Sequence, residues 1–273
     1  MHVDIVNFRS KPQGVRRRMR LAMASLLLAP PLLGACASAH SRVELGDGTV
    51  VHTLRRTYNN VHVVVRGESA FLVDAGLESD APALARELRR LAIDPARLRG
   101  IIVTHGHADH AGGAGWFQRE YGTQVIVGAA DVGMLERGRN DHLCPTDATG
   151  RRQLQRHQSA QFSPVRTDVA VAQRRPLDAL VGIPGTLVPM PGHTAGSLVV
   201  DLGDAVLVGD AFRGGILGHR ARTHFYMCDL AANRASIREL LEDVAPQAQR
   251  FFTGHFGPVD RTSVEQLAAS DPR

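Results

Sequence analysis

At 273 residues, with 44% hydrophobic and 22% charged residues, the chain has the composition of a soluble globular protein with one full core or two small ones. Its formal net charge is +5, but residues 1–35 alone hold six arginines or lysines against one aspartate. The remainder is therefore neutral, which removes the electrostatic support that a nucleic-acid partner would need.

The basic start runs directly into an apolar stretch and then into small residues, the order expected of a secretory signal. Residues 21–29 are almost entirely apolar, Pro30 and Pro31 follow, and the segment closes on Leu33-Gly34-Ala35-Cys36. At about 15 residues with two prolines, the stretch is too short and too interrupted for a transmembrane helix. We therefore predict a signal peptide over residues 1–36 and export from the cytoplasm.

The end of this segment resembles the bacterial lipobox, in which the cysteine is lipidated and becomes the mature N-terminus. The resemblance implies a periplasmic lipoprotein that contacts the membrane only through a lipid anchor on Cys36. A plain signal peptide with an incidental cysteine stays open, as does a true start at Met19. Arg17-Arg18 is a weak indication of twin-arginine export.

The exported part begins with a short tether over residues 37–42 and continues as one domain over residues 43–273. Compact apolar runs predict strands, and apolar residues at helical spacing predict helices. The polar, arginine-rich residues 136–160 are predicted to be a partly helical insertion over the functional site. Because strands and helices occur in both halves, we expect an α/β fold of two facing sheets with helices outside. The predicted strands cover residues 61–65, 70–74, 100–104, 125–127, 187–190, 197–201, 205–208 and 250–252, and the predicted helices cover residues 80–92, 113–121, 230–244 and 263–269.

Three histidines and an aspartate lie within six residues, directly after the apolar run 101–103. His105, His107, Asp109 and His110 offer the nitrogen and oxygen donors that zinc and similar ions prefer. A strand that ends in such a cluster presents its ligands from a rigid edge, as a catalytic metal site requires. The cluster therefore predicts a metal site at the end of this strand.

Three further donors each stand at a glycine-containing turn after an apolar run. These residues are His193, Asp210 and His255, and glycine directly precedes each of them. Glycine permits the tight backbone that such turns need. With the first cluster, the candidate ligands are five histidines and two aspartates.

This order of residues resembles the metallo-β-lactamase-fold hydrolases, in which an H-x-H-x-D-H motif is followed by His, Asp and His on an αββα sandwich of two mixed sheets. The resemblance covers about residues 43–260 and fills all seven ligand positions. It also assigns Asp74, in Val73-Asp74-Ala75-Gly76, to an early Asp-x-Gly element that supports the ligands. It implies a first metal on His105, His107 and His193, a second on Asp109, His110 and His255, and a bridging carboxylate from Asp210.

The resemblance implies a dinuclear zinc hydrolase that cleaves an ester, lactone, thioester or amide of a small molecule with a hydroxide shared by two Zn²⁺ ions. Asp109 is the candidate catalytic residue, because it can orient the hydroxide and relay a proton. Many true β-lactamases of this fold lack an aspartate at the position of Asp210, yet a periplasmic metallo-β-lactamase stays an alternative. Glyoxalase II shares the Asp-bridged ligands but adds a C-terminal helical domain, and only 18 residues follow His255, which disfavours it.

Two alternatives lie outside zinc hydrolysis. The same donors permit iron and an oxidoreductase of the same fold, although no flavin or rubredoxin-like segment is evident. The chain could also be a metal-binding lipoprotein without turnover, but a structural zinc site closes with four ligands, whereas seven are present here. The expected partner is a small-molecule substrate, and the oligomeric state stays open.

The remaining histidines and cysteines have weaker signals. His219, His224 and Tyr226 follow Asp210, where the resemblance implies a pocket wall, and each is a minor candidate for substrate contact. Whether Cys144 and Cys228 pair stays open, since sequence shows no distance between them. Four histidines without motif context are predicted to be ordinary exposed or packed residues: His52, His62, His142 and His157.

Overall fold

The computed structural model describes residues 40–56, 59–216 and 220–270. The predicted signal peptide over residues 1–36 lies outside this range, and so do the first three residues of the predicted tether. Its last three residues belong to the first strand, β1 (His40–Glu44), so the tether prediction is wrong there. This edge strand is polar and mostly exposed, which is why its sequence resembles a linker.

The first sheet has seven strands that follow one another in chain order. Its first four strands pair antiparallel, and its last four pair parallel. The parallel half therefore ends along one edge of the sheet. The strands after β1 are β2 (Val50–Arg55), β3 (Asn60–Arg66), β4 (Ser69–Val73), β5 (Ile101–Val103), β6 (Val125–Gly128) and β7 (Val169–Val171).

The second sheet comes from the second half of the chain. Its strands are β8 (Arg175–Pro176), β9 (Thr186–Pro189), β10 (Leu198–Asp201), β11 (Ala205–Gly209), β12 (Arg250–Thr253) and β13 (Val259–Asp260). Their order is β13-β12-β11-β10-β9-β8, with β11 and β12 parallel and the other pairs antiparallel. Consequently β9, β11 and β12 run in one direction and end at the same edge.

The described residues form eight α-helices. They are α1 (Ala81–Arg90), α2 (Ala108–Ala111), α3 (Ala114–Tyr121), α4 (Val132–Arg137), α5 (Ala148–Gln158), α6 (Asp178–Val181), α7 (Leu230–Glu239) and α8 (Arg261–Ala269). Helices α1 and α3 pack on the first sheet, and α7 and α8 pack on the second. A single π-helical turn, Leu240–Val244, extends α7. None of these helices combines the length and the apolar character needed to span a lipid bilayer.

Alternating side chains divide the core into three layers. In β5, Ile102 faces the layer between the sheets, whereas Ile101 and Val103 face the helices. In β11, Leu207 faces the inner layer, and Val206 points toward α7 and α8. This period of two is what a strand buried on both faces requires.

The predicted α/β sandwich of two facing mixed sheets with helices outside is confirmed. Every predicted strand and helix is present, and α5 lies in the predicted insertion 136–160. The structure adds β1, β2, β7, β8, β13, α2, α4 and α6, which are two to six residues long. Such short elements show too little periodicity to be predicted.

Candidate metal centre

The candidate ligands stand where four strands end. His105 and His107 follow β5, and Asp109 and His110 lie in the short helix α2 directly after it. The other three follow strands of the second sheet that run in one direction, namely β9, β11 and β12. The centre therefore draws donors from both sheets at one end of the sandwich.

Two glycines allow these strand ends to approach closely. Gly209 has a φ of +52°, and a Cβ there would lie 2.5 Å from the Thr104 hydroxyl oxygen. A Cβ at Gly254 would lie 2.3 Å from Asp210 Oδ1 and 2.7 Å from His110 Cε1. Larger residues at these positions would push the sheets and their ligands apart.

Three histidines form the first group of donors. His193 Nε2 lies 3.1 Å from His105 Nε2 and 3.0 Å from His107 Nδ1. All three residues are buried. Nitrogen atoms this close, converging on one point, are arranged as the ligands of a tetrahedral ion would be.

Asp109, His110 and His255 form the second group. The Asp109 Oδ2 atom lies 3.6 Å from His110 Nε2 and 3.3 Å from His255 Nε2, and the two nitrogens are 3.3 Å apart. The Asp109 side chain keeps 32% of its surface exposed, whereas His110 is fully buried. Asp109 is thus the carboxylate of the centre that faces solvent.

The Asp210 carboxylate lies between the two groups. Its Oδ2 atom is 3.6 Å and 3.8 Å from the Nε2 atoms of His193 and His105, and 3.2 Å and 3.4 Å from those of His255 and His110. One carboxylate oxygen therefore faces both groups at once. This is the position that a bridging ligand would occupy.

Hydrogen bonds on the far side of the rings fix their orientation. His110 Nδ1 donates to Asp74 Oδ2 at 2.8 Å, and His193 Nδ1 donates to the Tyr226 carbonyl at 2.8 Å. The Thr104 hydroxyl donates to Asp74, so His105 Nδ1 donates to that hydroxyl oxygen. Each bond turns Nε2 toward the centre, so that this nitrogen is the one that would bind a metal.

Asp131 was not predicted from the sequence, although it ties two ligand loops together. Its carboxylate accepts hydrogen bonds from Gly106 N, Gly196 N and the Thr194 hydroxyl, at 2.7–2.9 Å. Gly106 lies between the first two histidines of the motif, and Thr194 directly follows His193. A polar residue just after a strand that ends at this edge, here β6, is the signal that could have identified it.

In the metal-free protein, histidine pKa values shift in opposite directions in the two donor groups. Burial lowers the pKa of His107 to about 3. Burial also opposes protonation of His255, but the Asp210 and Asp109 carboxylates outweigh it and raise its pKa to about 10. Likewise, burial opposes ionisation of Asp109, but the positive charge on His110 and His255 holds its pKa well below the usual range. The two aspartates therefore favour protonation of the histidines in the second group.

The other sequence candidates divide clearly. His224 lies inside the centre, Tyr226 contributes its backbone carbonyl, and His219 lies outside the described residues. Four histidines stay outside the donor groups, as predicted: His62 is bonded to Thr53 and Thr253, His52 pairs with His40, His157 meets the Tyr226 hydroxyl, and His142 is exposed.

A disulfide joins Cys144 to Cys228, which resolves the alternative that the sequence left open. It connects the insertion 136–160 to the segment that carries His224 and Tyr226. Backbone bonds from Met227 N to the Cys144 carbonyl and from Thr146 N to the Phe225 carbonyl reinforce this connection. The insertion is therefore fastened beside the centre.

A cavity of about 420 Å³ opens next to the first group of donors. His107 and His193 line it, together with the apolar side chains of Met134 and Leu143. Its volume lies within the range of small-molecule pockets.

The donor set fits metal ions. Imidazole nitrogens with carboxylate oxygens suit zinc, iron and related ions. Asp210 Oδ1 is buried and has no hydrogen-bond partner within the described part of the chain, although buried polar atoms are nearly always paired. A cation beside this carboxylate would account for the converging donors and for the unpartnered oxygen.

The sequence profile of the Metallo-beta-lactamase superfamily matches residues 54–255, which is most of the chain. The chain therefore belongs to this superfamily. The membership agrees with the predicted class, a metal-dependent hydrolase, and with the His and Asp groups described above.

Relatives and solved structures extend this comparison. A hydroxyacylglutathione hydrolase of Anaeromyxobacter dehalogenans (strain 2CP-C) is 31% identical over 159 residues, which are 57% of this chain and 48% of that protein. The chain thus aligns with about half the length of this relative. A metallo-beta-lactamase family protein from Thermus thermophilus is 20% identical with a TM-score of 0.56, and it covers 85% of this chain and 78% of its own. A subclass B3 metallo-beta-lactamase of Bradyrhizobium japonicum is 20% identical with a TM-score of 0.54. The match covers 75% of this chain and 74% of that protein. At this identity the two structures support the fold alone.

Proposed function

We propose that the protein is a dinuclear zinc hydrolase that cleaves an ester, lactone, thioester or amide of a small molecule. The observation that carries the proposal is the position of Asp210 Oδ2, within 3.8 Å of histidine nitrogens from both donor groups. A single structural ion would not need a second complete donor group beside it. In this proposal the seven ligands are His105, His107, Asp109, His110, His193, Asp210 and His255.

Zinc bound there would supply a hydroxide at neutral pH and polarise the carbonyl that is attacked. The protein's own contribution comes chiefly from Asp109, whose side chain is partly exposed while the other carboxylate, Asp210, is buried. Asp109 would orient this hydroxide toward the substrate and relay a proton during the reaction. Asp74 and Tyr226 hold the ligand rings in place through His110 and His193.

The substrate's acyl group would occupy the cavity beside His107 and His193. Met134, Leu143 and Ala195 give this cavity apolar surface, which favours an apolar or weakly polar group. The name of the relative from Anaeromyxobacter, hydroxyacylglutathione hydrolase, supports including thioesters among the substrates.

The proposal is tested with zinc-loaded protein and four probes: a thioester, an acyl-homoserine lactone, an aryl ester and a chromogenic cephalosporin. We expect turnover of at least one probe, and a loss of about 100-fold or more in kcat for Asp109→Asn. Asp178→Asn, at an exposed aspartate in α6, is the matched control and should keep full activity. No turnover of any probe, or an unchanged rate in Asp109→Asn, would refute the proposed mechanism. Turnover of the cephalosporin alone would favour a metallo-β-lactamase.

Elemental analysis of the protein as purified tests the identity of the metal. We expect two zinc ions per chain. Two iron ions with redox turnover would instead support the oxidoreductase alternative.

We also propose that the protein is an exported lipoprotein of the periplasm. The disulfide between Cys144 and Cys228 supports this, because such bonds persist in oxidising compartments. In bacterial fractionation, Cys36→Ser should move the protein from the membrane fraction to the soluble periplasmic fraction. An unchanged distribution would contradict the lipid anchor.

A further inference from the structure

His224 is a buried histidine that the seven-residue motif does not include. Its Nε2 atom lies 3.1 Å from Asp210 Oδ2, compared with 3.2 Å for the nitrogen of His255. Among the described residues, this Nε2 atom has no hydrogen-bond partner, and neither does Oδ1, the other oxygen of the same Asp210 carboxylate. An unpartnered buried nitrogen that faces a carboxylate with an unpartnered buried oxygen is what an unfilled cation site would leave.

His224 is held in the same way as the neighbouring motif residue His193. The carbonyl oxygen of Tyr226 lies 2.8 Å from His193 Nδ1 and 3.2 Å from His224 Nδ1. The Tyr226 amide nitrogen is 3.3 Å from the same His224 atom, so either neutral tautomer has a backbone partner. Donation from Nδ1 to the carbonyl leaves a lone pair on Nε2, which is the state of a metal-bound histidine.

The rings of His193 and His224 face the same point from different directions. Their centroids are 4.7 Å apart and their planes are perpendicular. The donor atoms of His193, Asp210 and His224 all lie within 4.8 Å of one another, as do those of the two groups from the motif. His224 therefore adds a further complete group of donors to the centre.

The backbone around His224 is anchored rather than free to swing away. The Thr146 hydroxyl donates to the His224 carbonyl at 2.6 Å, and Pro145 pairs with Tyr226 in a β-bridge. The disulfide at Cys228 follows four residues later. A ring fixed on both sides keeps its nitrogen at the centre, as a ligand site requires.

We propose that His224 is an eighth donor of the metal centre and binds an ion together with His193 and Asp210. The proposal rests on the two-metal site proposed above. It gives the insertion 136–160 a role in metal binding, because the insertion holds the segment that carries this ligand.

The test compares His224→Phe, which keeps an aromatic ring without a donor, with His224→Ala in the full chain. His157→Ala is the matched control, since it removes a histidine that contacts the same Tyr226 from outside the donor groups. Zinc affinity is measured by competition with a chromophoric chelator, and coordination is followed by the visible absorption of the Co²⁺-substituted protein. We expect both His224 variants to bind one of the two ions at least about tenfold more weakly, with an altered Co²⁺ spectrum. The control should match the wild type.

Wild-type zinc affinity and an unchanged Co²⁺ spectrum in His224→Phe would overturn the proposal. The proposal would also be overturned if zinc binding were weakened in His224→Ala but normal in His224→Phe. That pattern would show that the ring is needed for packing and not as a donor. Failure of the proposed function is a different result, since the wild type itself would then bind fewer than two ions or hydrolyse none of the probes.

Discussion

At the scale of single residues, the centre depends on hydrogen bonds that choose which ring nitrogen carries a proton. Asp74 illustrates this, because it accepts bonds from His110 Nδ1, the Thr104 hydroxyl and the Thr104 amide. Its φ of +64° is unusual for a residue with a side chain, and aspartate and asparagine tolerate it best. The position therefore selects both a backbone conformation and a charge.

Asp74→Asn should weaken metal binding without disturbing the backbone. The new amide group would face His110 Nδ1 with a donor, which favours the tautomer whose Nε2 is protonated and cannot bind metal. We expect affinity for one of the two ions to fall about 10- to 100-fold in a chelator competition. Asp201→Asn, at the end of β10, is the control and should bind as the wild type does. Unchanged affinity in Asp74→Asn would show that the hydrogen bond does not orient the ligand.

His62 should make the stability of the metal-free protein depend on pH. Burial lowers its pKa from 6.5 to about 4, because the charged ring would lose its hydration. As the pH falls from 6.5 toward 4, His62 therefore becomes protonated in the unfolded chain before it does in the folded chain. The stabilisation is present above pH 6.5 and is lost as the pH falls toward 4.

The corresponding measurement is the free energy of unfolding of chelator-treated protein at about pH 7.5 and about pH 4.5. His62→Gln should lose about 2–3 kcal/mol less than the wild type between these conditions. An equal loss in both proteins would mean that His62 takes no part in the acid sensitivity.

At the scale of elements, the strand ends decide where the candidate donors come together, and the sequence pattern indicates these strand ends. An apolar run followed by glycine and a donor identified His193, Asp210 and His255, because such a run ends at a sheet edge. The role of Asp131 and the burial of His224 beside Asp210 were harder to predict. Both depend on which loops from distant parts of the chain come together, and the position of Asp131 after β6 indicates only the edge of the sheet on which it lies.

Asp131→Ala should loosen both ligand loops at once. The substitution leaves two buried backbone N–H groups, those of Gly106 and Gly196, without an acceptor. We expect a loss of about 2–4 kcal/mol in the free energy of unfolding. Zinc binding by the group of His105, His107 and His193 should weaken more than binding by the second group. Loss of stability with normal zinc affinity would limit Asp131 to a structural role.

At the scale of the whole molecule, the two sheets contribute different parts of one site. The first sheet supplies the H-x-H-x-D-H cluster, and the second supplies the three later ligands. Neither half therefore holds either of the two donor groups complete. The disulfide adds a third component by fixing the insertion to the loop after β11.

Cys144→Ser with Cys228→Ser should lower the free energy of unfolding by about 4 kcal/mol, because the bond closes a loop with a sequence separation of 84 residues. Chemical denaturation measures the change. A reductant should destabilise the wild type by a similar amount and leave the double variant unaffected. Equal stability of the oxidised wild type and the double variant would contradict this.

In the proposed site, one carboxylate, Asp210, is shared by two ions. The most direct measurement is the number of zinc ions that the wild type and Asp210→Asn retain after dialysis against a weak chelator. We expect two ions for the wild type and fewer than two for the variant, because both donor groups would lose their common carboxylate. A wild type that retains one ion, or a variant that retains two with wild-type affinity, would show that Asp210 is not shared.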